Sequence, residues 1–345
     1  MHGGPKRPFC AAGAVLALAL GLSGCATQIL AKRIVQAPNH NGPPRMARDE
    51  KAAATFAKTY SQTFTVPVGP PAASLSVAIL EPGNYSLKYA LELKKNPSGG
   101  GQANYSINWS FPDPRVPKPP AKGTIVLLHG VLVSKEYMVH WALYLAQKGY
   151  RTVLVDLRGH GRSTGRWITF GAVERTDLEQ VLDELHRRGL ADRPIGVLGI
   201  SYGAAVGIDW AAIDPRVGSV VALEPFCDPR EAIAEFARGY DPGSAKGISD
   251  AQFAIAEDRA AQLAGFIWAD ADVLESTRRL KVPVLFFHGA EDTWIPPSHS
   301  RRLVEAAPIG SRLEIVKDDN HLTLSVRLDP IAAEVAGWFD SHLPR

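Results

Sequence analysis

Ile195-Gly196-Val197-Leu198-Gly199-Ile200-Ser201-Tyr202-Gly203 is the stretch on which the reading of this chain turns. A compact apolar run from Ile195 to Ile200 leads directly into a serine with a glycine two positions to either side, and a helical pattern from Ala204 to Ile213 follows at once. Continuous apolar texture of this kind belongs to a strand covered on both faces, as in a parallel sheet. A serine at a sharp strand-to-helix turn needs small neighbours, because its backbone is strained and the flanking chains approach closely. Such a turn lifts the Ser201 hydroxyl above the sheet edge, beside the positive end of a helix, where negative charge developing on a substrate is favoured.

The same texture recurs on both sides. Apolar runs at Thr124–Leu128, Thr152–Asp156, Val217–Leu223, Pro283–His288 and Arg312–Val316 alternate with helical patterns near Glu136–Lys148, Val173–Arg188, Ser298–Ala306 and Asp329–Ser341. Alternation of this sort predicts a mostly parallel α/β sheet with helices on both faces. One crossover is over-long: Glu224–Lys281 carries short helical stretches at Arg230–Arg238 and Asp250–Leu263, the expected place of a lid over the sheet's C-terminal edge. Before the parallel region, Leu75–Leu80, Tyr85–Leu93 and Tyr105–Phe111 alternate polar and apolar residues around Pro82-Gly83-Asn84 and Gly99-Gly100-Gly101, which predicts antiparallel strands.

A serine hydroxyl needs a base, and the base needs an orienting carboxylate. Asp292 follows the strand at Pro283–His288, and His321 follows the strand at Arg312–Val316, so acid and histidine lie beyond strand ends in the order serine, acid, histidine. Glu224, at the end of Val217–Leu223, is the rival acid; Glu291, Asp318 and Asp319 read as solvated loop charges. His129, His140, His160, His288 and His299 compete with His321, but only His321 follows the last strand. Strand Thr124–Leu128 ends in His129-Gly130-Val131, where the Val131 amide, with that of Tyr202, is placed to form an oxyanion hole. His129 and His160 read as turn-stabilising.

Together, Leu128-His129-Gly130, Asp156-Leu157-Arg158-Gly159-His160-Gly161, Gly199-Ile200-Ser201-Tyr202-Gly203, His288-Gly289-Ala290-Glu291-Asp292 and Asn320-His321 resemble the α/β-hydrolase superfamily, most closely its serine aminopeptidase-like, esterase and monoacylglycerol-lipase-like branch. The resemblance runs from about Ser74 to the C-terminus. It implies Ser201 as nucleophile, His321 as general base and acid, Asp292 as the acid, and Val131 and Tyr202 as oxyanion donors. It further implies hydrolysis of a small-molecule carboxylic ester through an acyl-enzyme, with no cofactor. Peptide or amide hydrolysis shares the scaffold, and acidic lid residues Glu231, Glu235, Glu257 and Asp258 would be candidates to hold a free amino terminus. A non-catalytic envelope binding protein on the same fold is the alternative from another class. Phe226, Phe236, Phe253, Phe266 and Trp268, with Trp294, read equally as the lining of an apolar acyl pocket or as the lid's own small core.

The N-terminal region has no counterpart in that resemblance. Lys6 and Arg7 precede an apolar stretch from Phe9 to Leu22, too short and too rich in Ala and Gly for a membrane span, and Leu22-Ser23-Gly24-Cys25 resembles the bacterial lipobox. The expectation is therefore a lipoprotein signal peptide over 1–24 and a mature chain starting at a lipidated Cys25, carrying acyl chains such as palmitate that hold it at the membrane. Ala26 next to the cysteine, in place of a retaining Asp, points to the outer membrane of the cell envelope. Residues 25–73, with a helical candidate at Arg48–Lys58 among prolines, read as tether and peripheral segment, and 74–345 as the hydrolase domain.

Composition excludes other classes. The 345 residues are 46% hydrophobic and 21% charged, ordinary for a globular enzyme. Net charge is +3, of which Lys6 and Arg7 supply two, so no basic surface for nucleic acid is expected. Thr164 stands where the third glycine of a dinucleotide fingerprint would follow Gly159 and Gly161. No Cys/His run has metal-ligand spacing. With Cys10 in the leader and Cys25 lipidated, Cys227 has no disulfide partner and reads as a buried bystander.

Overall fold

An eight-stranded sheet organises the protein, seen in a computed structural model that describes residues 26–41, 56–95, 101–110, 119–191 and 195–343. Its strands are β1 (Gln62–Val68), β2 (Ala73–Leu80), β5 (Thr124–Leu128), β6 (Arg151–Val155), β7 (Ile195–Ile200), β8 (Val217–Leu223), β9 (Val284–Gly289) and β10 (Arg312–Val316). β3 (Ser86–Lys95) and β4 (Gly101–Ser110) form a separate antiparallel hairpin. The sheet order is β1-β2-β6-β5-β7-β8-β9-β10; β1–β2 and β2–β6 pair antiparallel, and every other pair is parallel.

Alternation sorts the strand residues between two cores. Val126, Leu128 and Val197 point to one face, packed by helices Glu174–Arg187, Tyr202–Ala211 and Ser298–Ala306. Ile125, Leu127 and Leu198 point to the other, packed by helices Val139–Gln147 and Ile331–His342. Every residue of β5, β7 and β9 is buried, the signature of central strands that the continuous apolar runs predicted.

The structure departs from the sequence reading at the N-terminus. β1 lies before Ser74 yet is an integral edge strand, pairing Gln62 with Ile79 through Val68 with Ala73. Residues 26–35 form a helix whose Ala31 and Val35 are fully buried, and a short helical turn follows at Pro38–Asn41. These parts of the expected tether are therefore packed domain; three prolines hid the strand, since Pro67 sits on an edge where its missing N–H is tolerated. The expected leader and Cys25 lie outside the described residues, as does most of the Arg48–Lys58 candidate. Among the described residues no helix is long and apolar enough to cross a membrane.

The long crossover is helical, with Pro229–Tyr240, Pro242–Ala245, Asp250–Ala264 and Val273–Arg279. Local signals explain its helix starts: Asp228 caps the first, and Ser249 with Gln252 forms a capping box on the third. The hairpin lies against the other core through Leu87, Tyr89 and Trp109, and Trp109 stacks on Phe56 at 5.1 Å. Tyr89 also donates from its hydroxyl to the Val326 carbonyl, so the hairpin braces the segment after β10.

Candidate active site

Ser201 stands between β7 and the helix Tyr202–Ala211 with φ +52° and ψ −115°, a strained left-handed backbone for a residue with a side chain. Close packing enforces the glycines around it. A Cβ on Gly199 would lie 2.4 Å from the Gly203 carbonyl oxygen, and one on Gly203 would lie 2.4 Å from that of Leu128. The Ser201 amide donates to the Leu223 carbonyl at 2.7 Å, pinning the turn to β8.

Asp292 leaves the end of β9, and His321 opens the short helix His321–Ser325 beyond β10. Asn320 caps that helix, accepting from the Leu322 and Thr323 amides at 3.0 and 3.1 Å while Thr323 Oγ1 accepts from the Asn320 amide, which sets the histidine's backbone. The three side chains meet: His321 Nε2 is 2.9 Å from Ser201 Oγ, and His321 Nδ1 is 2.7 Å from Asp292 Oδ2. A carboxylate only accepts, so Nδ1 carries the proton and Nε2 presents its lone pair to the serine hydroxyl. Ser201 and His321 each keep 7% of their surface open, enough for a substrate atom to reach them.

Asp292 is held on several sides. Its Oδ1 accepts from the Trp294 and Ile295 amides, both at 2.9 Å. His288 Nε2 lies 3.3 Å from Oδ2 while donating to the Ile295 carbonyl at 2.8 Å, and Ser300 Oγ is 2.7 Å from its Nδ1. Burial alone would raise the Asp292 carboxyl, but the charges and hydrogen bonds of His321 and His288 outweigh it and hold the group well below the usual carboxylate range. Glu224, the rival, is fully buried at φ +54°, with Oε2 3.9 Å from His321 Nδ1. Burial, then the nearby charges of Asp292 and Asp319, push its carboxyl well above the usual carboxylate range. Asp292, at hydrogen-bonding distance and ionised, is the partner of the imidazole.

Val131 and Tyr202 both border the space above Ser201. Gly130, just beyond β5, sits beside the elbow: a Cβ there would lie in ordinary contact with Ser201 Cβ, at 3.6 Å. His129 and His160 are buried turn residues, as expected. His129 Nδ1 donates to the Gly130 carbonyl while Nε2 accepts from the Leu157 amide, and burial lowers its pKa to about 4; His160 donates to the Arg158 carbonyl. The motif beginning at Asp156 is likewise structural. Asp156 accepts from the Lys135 ammonium at 2.6 Å, and Arg158 forms a two-pronged pair with Asp177. Asp319 differs from its reading as a solvated loop charge: it is fully buried and ion-paired with Arg327.

A cavity of about 400 Å³ opens over Ser201, lined by Phe226, Phe236 and Phe253 from the crossover with Ile168 and Phe170. Phe266 and Trp268 do not border it; they pack edge-on against each other at 4.8 Å, and Trp268 lies 5.5 Å from Phe170. The six aromatics therefore divide between pocket and support. Trp294 joins Phe236 and Tyr240 in a cluster that leans on His321 at 5.4 Å, and borders a smaller space of about 60 Å³ on the histidine side. The acidic lid residues face elsewhere: Glu231 pairs with Arg302, Glu235 with His299, and Glu257 and Asp258 with Arg230.

Folding also joins residues that no spacing linked. Cys227 Sγ lies 3.0 Å from His299 Nδ1, whose other nitrogen meets Glu235 at 2.7 Å, and Glu231 brings a carboxylate within reach of the same point. Arg302, 2.7 Å from Glu231, supplies positive charge at that cluster, which reads as a hydrogen-bonded support beneath the lid. Burial, the largest influence on it, pushes the Cys227 thiol up to about 12, so it is an inert thiol. His288 was missed as a supporter of Asp292, and so was the contribution of residues 26–38 to the cavity; both arise from long-range packing that leaves no local pattern.

The family model described as serine aminopeptidase, S33, matches residues 119–248, from the approach to β5 into the lid. YqkD of Bacillus subtilis (strain 168) is 26% identical over 201 residues, covering 57% of this chain and 64% of that protein, so the chain spans less than two thirds of that relative's length. The putative esterase YitV of the same strain is 24% identical over 242 residues, covering 64% of this chain and 89% of its own. The esterase Pf2001 of Pyrococcus furiosus superposes with a TM-score of 0.59 at 19% identity, over 88% of this chain and 99% of that one, a likeness of fold. With strand order, elbow and fold likeness in agreement, this chain has the α/β-hydrolase fold and is similar to the serine aminopeptidase family over residues 119–248.

Proposed function

We propose that the protein is a serine esterase that cleaves carboxylic esters through an acyl-Ser201 intermediate. The observation that carries this reading is the unbroken relay from Asp292 through His321 to Ser201 at the floor of an apolar cavity. As Ser201 Oγ attacks the ester carbonyl, His321 Nε2 takes the hydroxyl proton, and the oxyanion is received by the Val131 and Tyr202 amides. One such donor contributes roughly 3–4 kcal/mol to the transition state. Collapse of the tetrahedral intermediate breaks the bond to the alcohol oxygen, to which His321 returns the proton. Water then enters the same cycle to release the acid. Asp292 keeps Nδ1 protonated throughout and stabilises the imidazolium that forms.

The large cavity suits the acyl chain, and the smaller space beside His321, Tyr137 and Ser325 suits the departing alcohol. Ester-cleaving names among the relatives support the same reading. The S33 description favours a second, aminopeptidase activity; against it, the acidic lid residues that would bind an amino terminus are engaged with arginines and a histidine. Cys25 is the proposed lipid attachment, tethering the enzyme to the bacterial envelope, with Ala26 favouring the outer membrane.

p-Nitrophenyl esters from acetate to palmitate, assayed beside aminoacyl-p-nitroanilides, test the activity. The expected outcome is ester cleavage that Ser201→Ala reduces by at least about 10⁴-fold, together with loss of fluorophosphonate labelling. Serine-dependent anilide cleavage without ester cleavage would move the protein to the peptidases. The anchor is tested separately: globomycin should cause precursor to accumulate, and Cys25→Ser should leave the membrane fraction.

A further inference from the structure

We propose that residues 26–38 form the outer wall of the acyl cavity and set the length of chain the enzyme accepts. This rests on the esterase reading and deepens it by naming a specificity element outside the lid. Leu30 and Ile34, one helical turn apart, border the same cavity as Ser201, together with Gln36 and Pro38. Lid residues Phe236 and Phe253 border it as well, so a bound acyl chain runs between the N-terminal helix and the lid.

Contacts along its whole length fix the wall in place. Ala31 and Val35 are fully buried, and burying a side chain such as Val35 contributes about 1.5–3 kcal/mol. The backbone is joined to the domain: Ile168 N–H donates to the Val35 carbonyl at 2.9 Å, Ala37 N–H to that of Arg166 at 3.1 Å, and Asn39 N–H to that of Gly159 at 3.1 Å. Docking is tight enough that a Cβ on Gly159 would lie 2.4 Å from Ala37 Cβ. At the other end, Arg259 of the lid donates to Thr27 Oγ1. A segment acting only as a tether has no use for this set of bonds.

The test uses the full mature protein in detergent, with Ile34→Trp and Leu30→Trp to fill the cavity from this wall and Ile34→Ala to widen it. With p-nitrophenyl esters, both tryptophan variants are expected to lower kcat/KM for octanoate and laurate at least tenfold while leaving acetate within threefold, and Ile34→Ala to move the optimum to longer chains. Equal effects on all lengths, or none on any, would overturn the proposal; should the tryptophan variants fail to fold, the alanine variant decides it alone. A binding arm separates this idea from the esterase reading. In the Ser201→Ala background, cis-parinaric acid should bind, be displaced by palmitate, and bind at least tenfold more weakly when Ile34→Trp is added. Binding that Ile34→Trp does not change overturns the wall, whereas ester cleavage that survives Ser201→Ala overturns the nucleophile and leaves the binding result to judge the wall.

Discussion

Ser201, Asp292 and His321 each stand one or a few residues beyond a strand of the central sheet, whereas the cavity beside them is walled by residues as distant in the chain as Leu30, Phe170 and Phe253. On the catalytic side, position is inherited from strand ends whose register is fixed by parallel pairing, and each side chain is then locked by its own immediate neighbours, as Asn320 locks His321. On the cavity side, shape is the sum of the N-terminal helix, the turn around Phe170 and three lid helices, none of which makes a pocket alone. In the proposed esterase, chemistry is thus carried by short motifs and selectivity by tertiary contacts, and substitutions should separate the two.

Asp292→Asn should have the largest effect among the changes that probe this division. An amide in place of the carboxylate disturbs the Nδ1–H tautomer, and kcat should fall on the order of 10³-fold or more, equally for acetate and laurate esters. Glu224→Gln should cost less than about tenfold, because its carboxyl lies 3.9 Å from Nδ1, beyond hydrogen-bonding distance, and burial disfavours its charged form. A loss for Glu224→Gln as large as for Asp292→Asn would merge the two acids into one unit. Phe236→Ala comes next. It removes a ring that borders both spaces and packs against Tyr240 and Trp294, so kcat/KM should change by roughly tenfold between short and long chains, with fluorophosphonate labelling of Ser201 retained. Uniform loss across chain lengths would show that the cavity wall and the relay are not separable there.

Asp209→Asn should affect turnover least and stability most selectively. Asp209 is fully buried, and burial, opposed by Ser276 and Arg175, raises its pKa from 3.8 to about 7. The folded state therefore binds a proton that the unfolded chain has released, and stability drains away as pH rises from 3.8 to about 7, at about 1.4 kcal/mol per unit. Asparagine has no such proton, so the variant's gain in Tm should grow from pH 4 to pH 7 and level off above. A gain that does not change with pH would assign the effect to packing instead of ionisation.

The sequence made the relay legible because an elbow, an acid and a histidine each follow an apolar strand run, and period and order suffice to place them. β1 was not legible, since Pro67 and the neighbouring Pro70 and Pro71 resemble linker and its pairing partner is known only once β2 is placed. Asp319 looked solvated because its partner Arg327 comes from the turn beyond the following helix. Cys227 and His299 meet across 72 residues, and His288 supports Asp292 through a side chain that β9 turns inward. Buried polar pairing of this kind is satisfied by geometry, not by spacing, and a linear pattern does not encode it.

The hydrogen bond from Arg259 to Thr27 spans 232 residues of chain, and this has a consequence for timing. At about 5–20 residues per second, a ribosome that has made Thr27 needs roughly ten to fifty seconds more to reach its partner. The helix over 26–35 is thus among the first segments born, yet the surface that receives it is finished only after the lid has been made. Val35 can dock as soon as Ile168 has been made, but Leu30 and Ile34 gain Phe236 and Phe253 across the cavity only with the lid, so the wall that would set selectivity is the last to be completed.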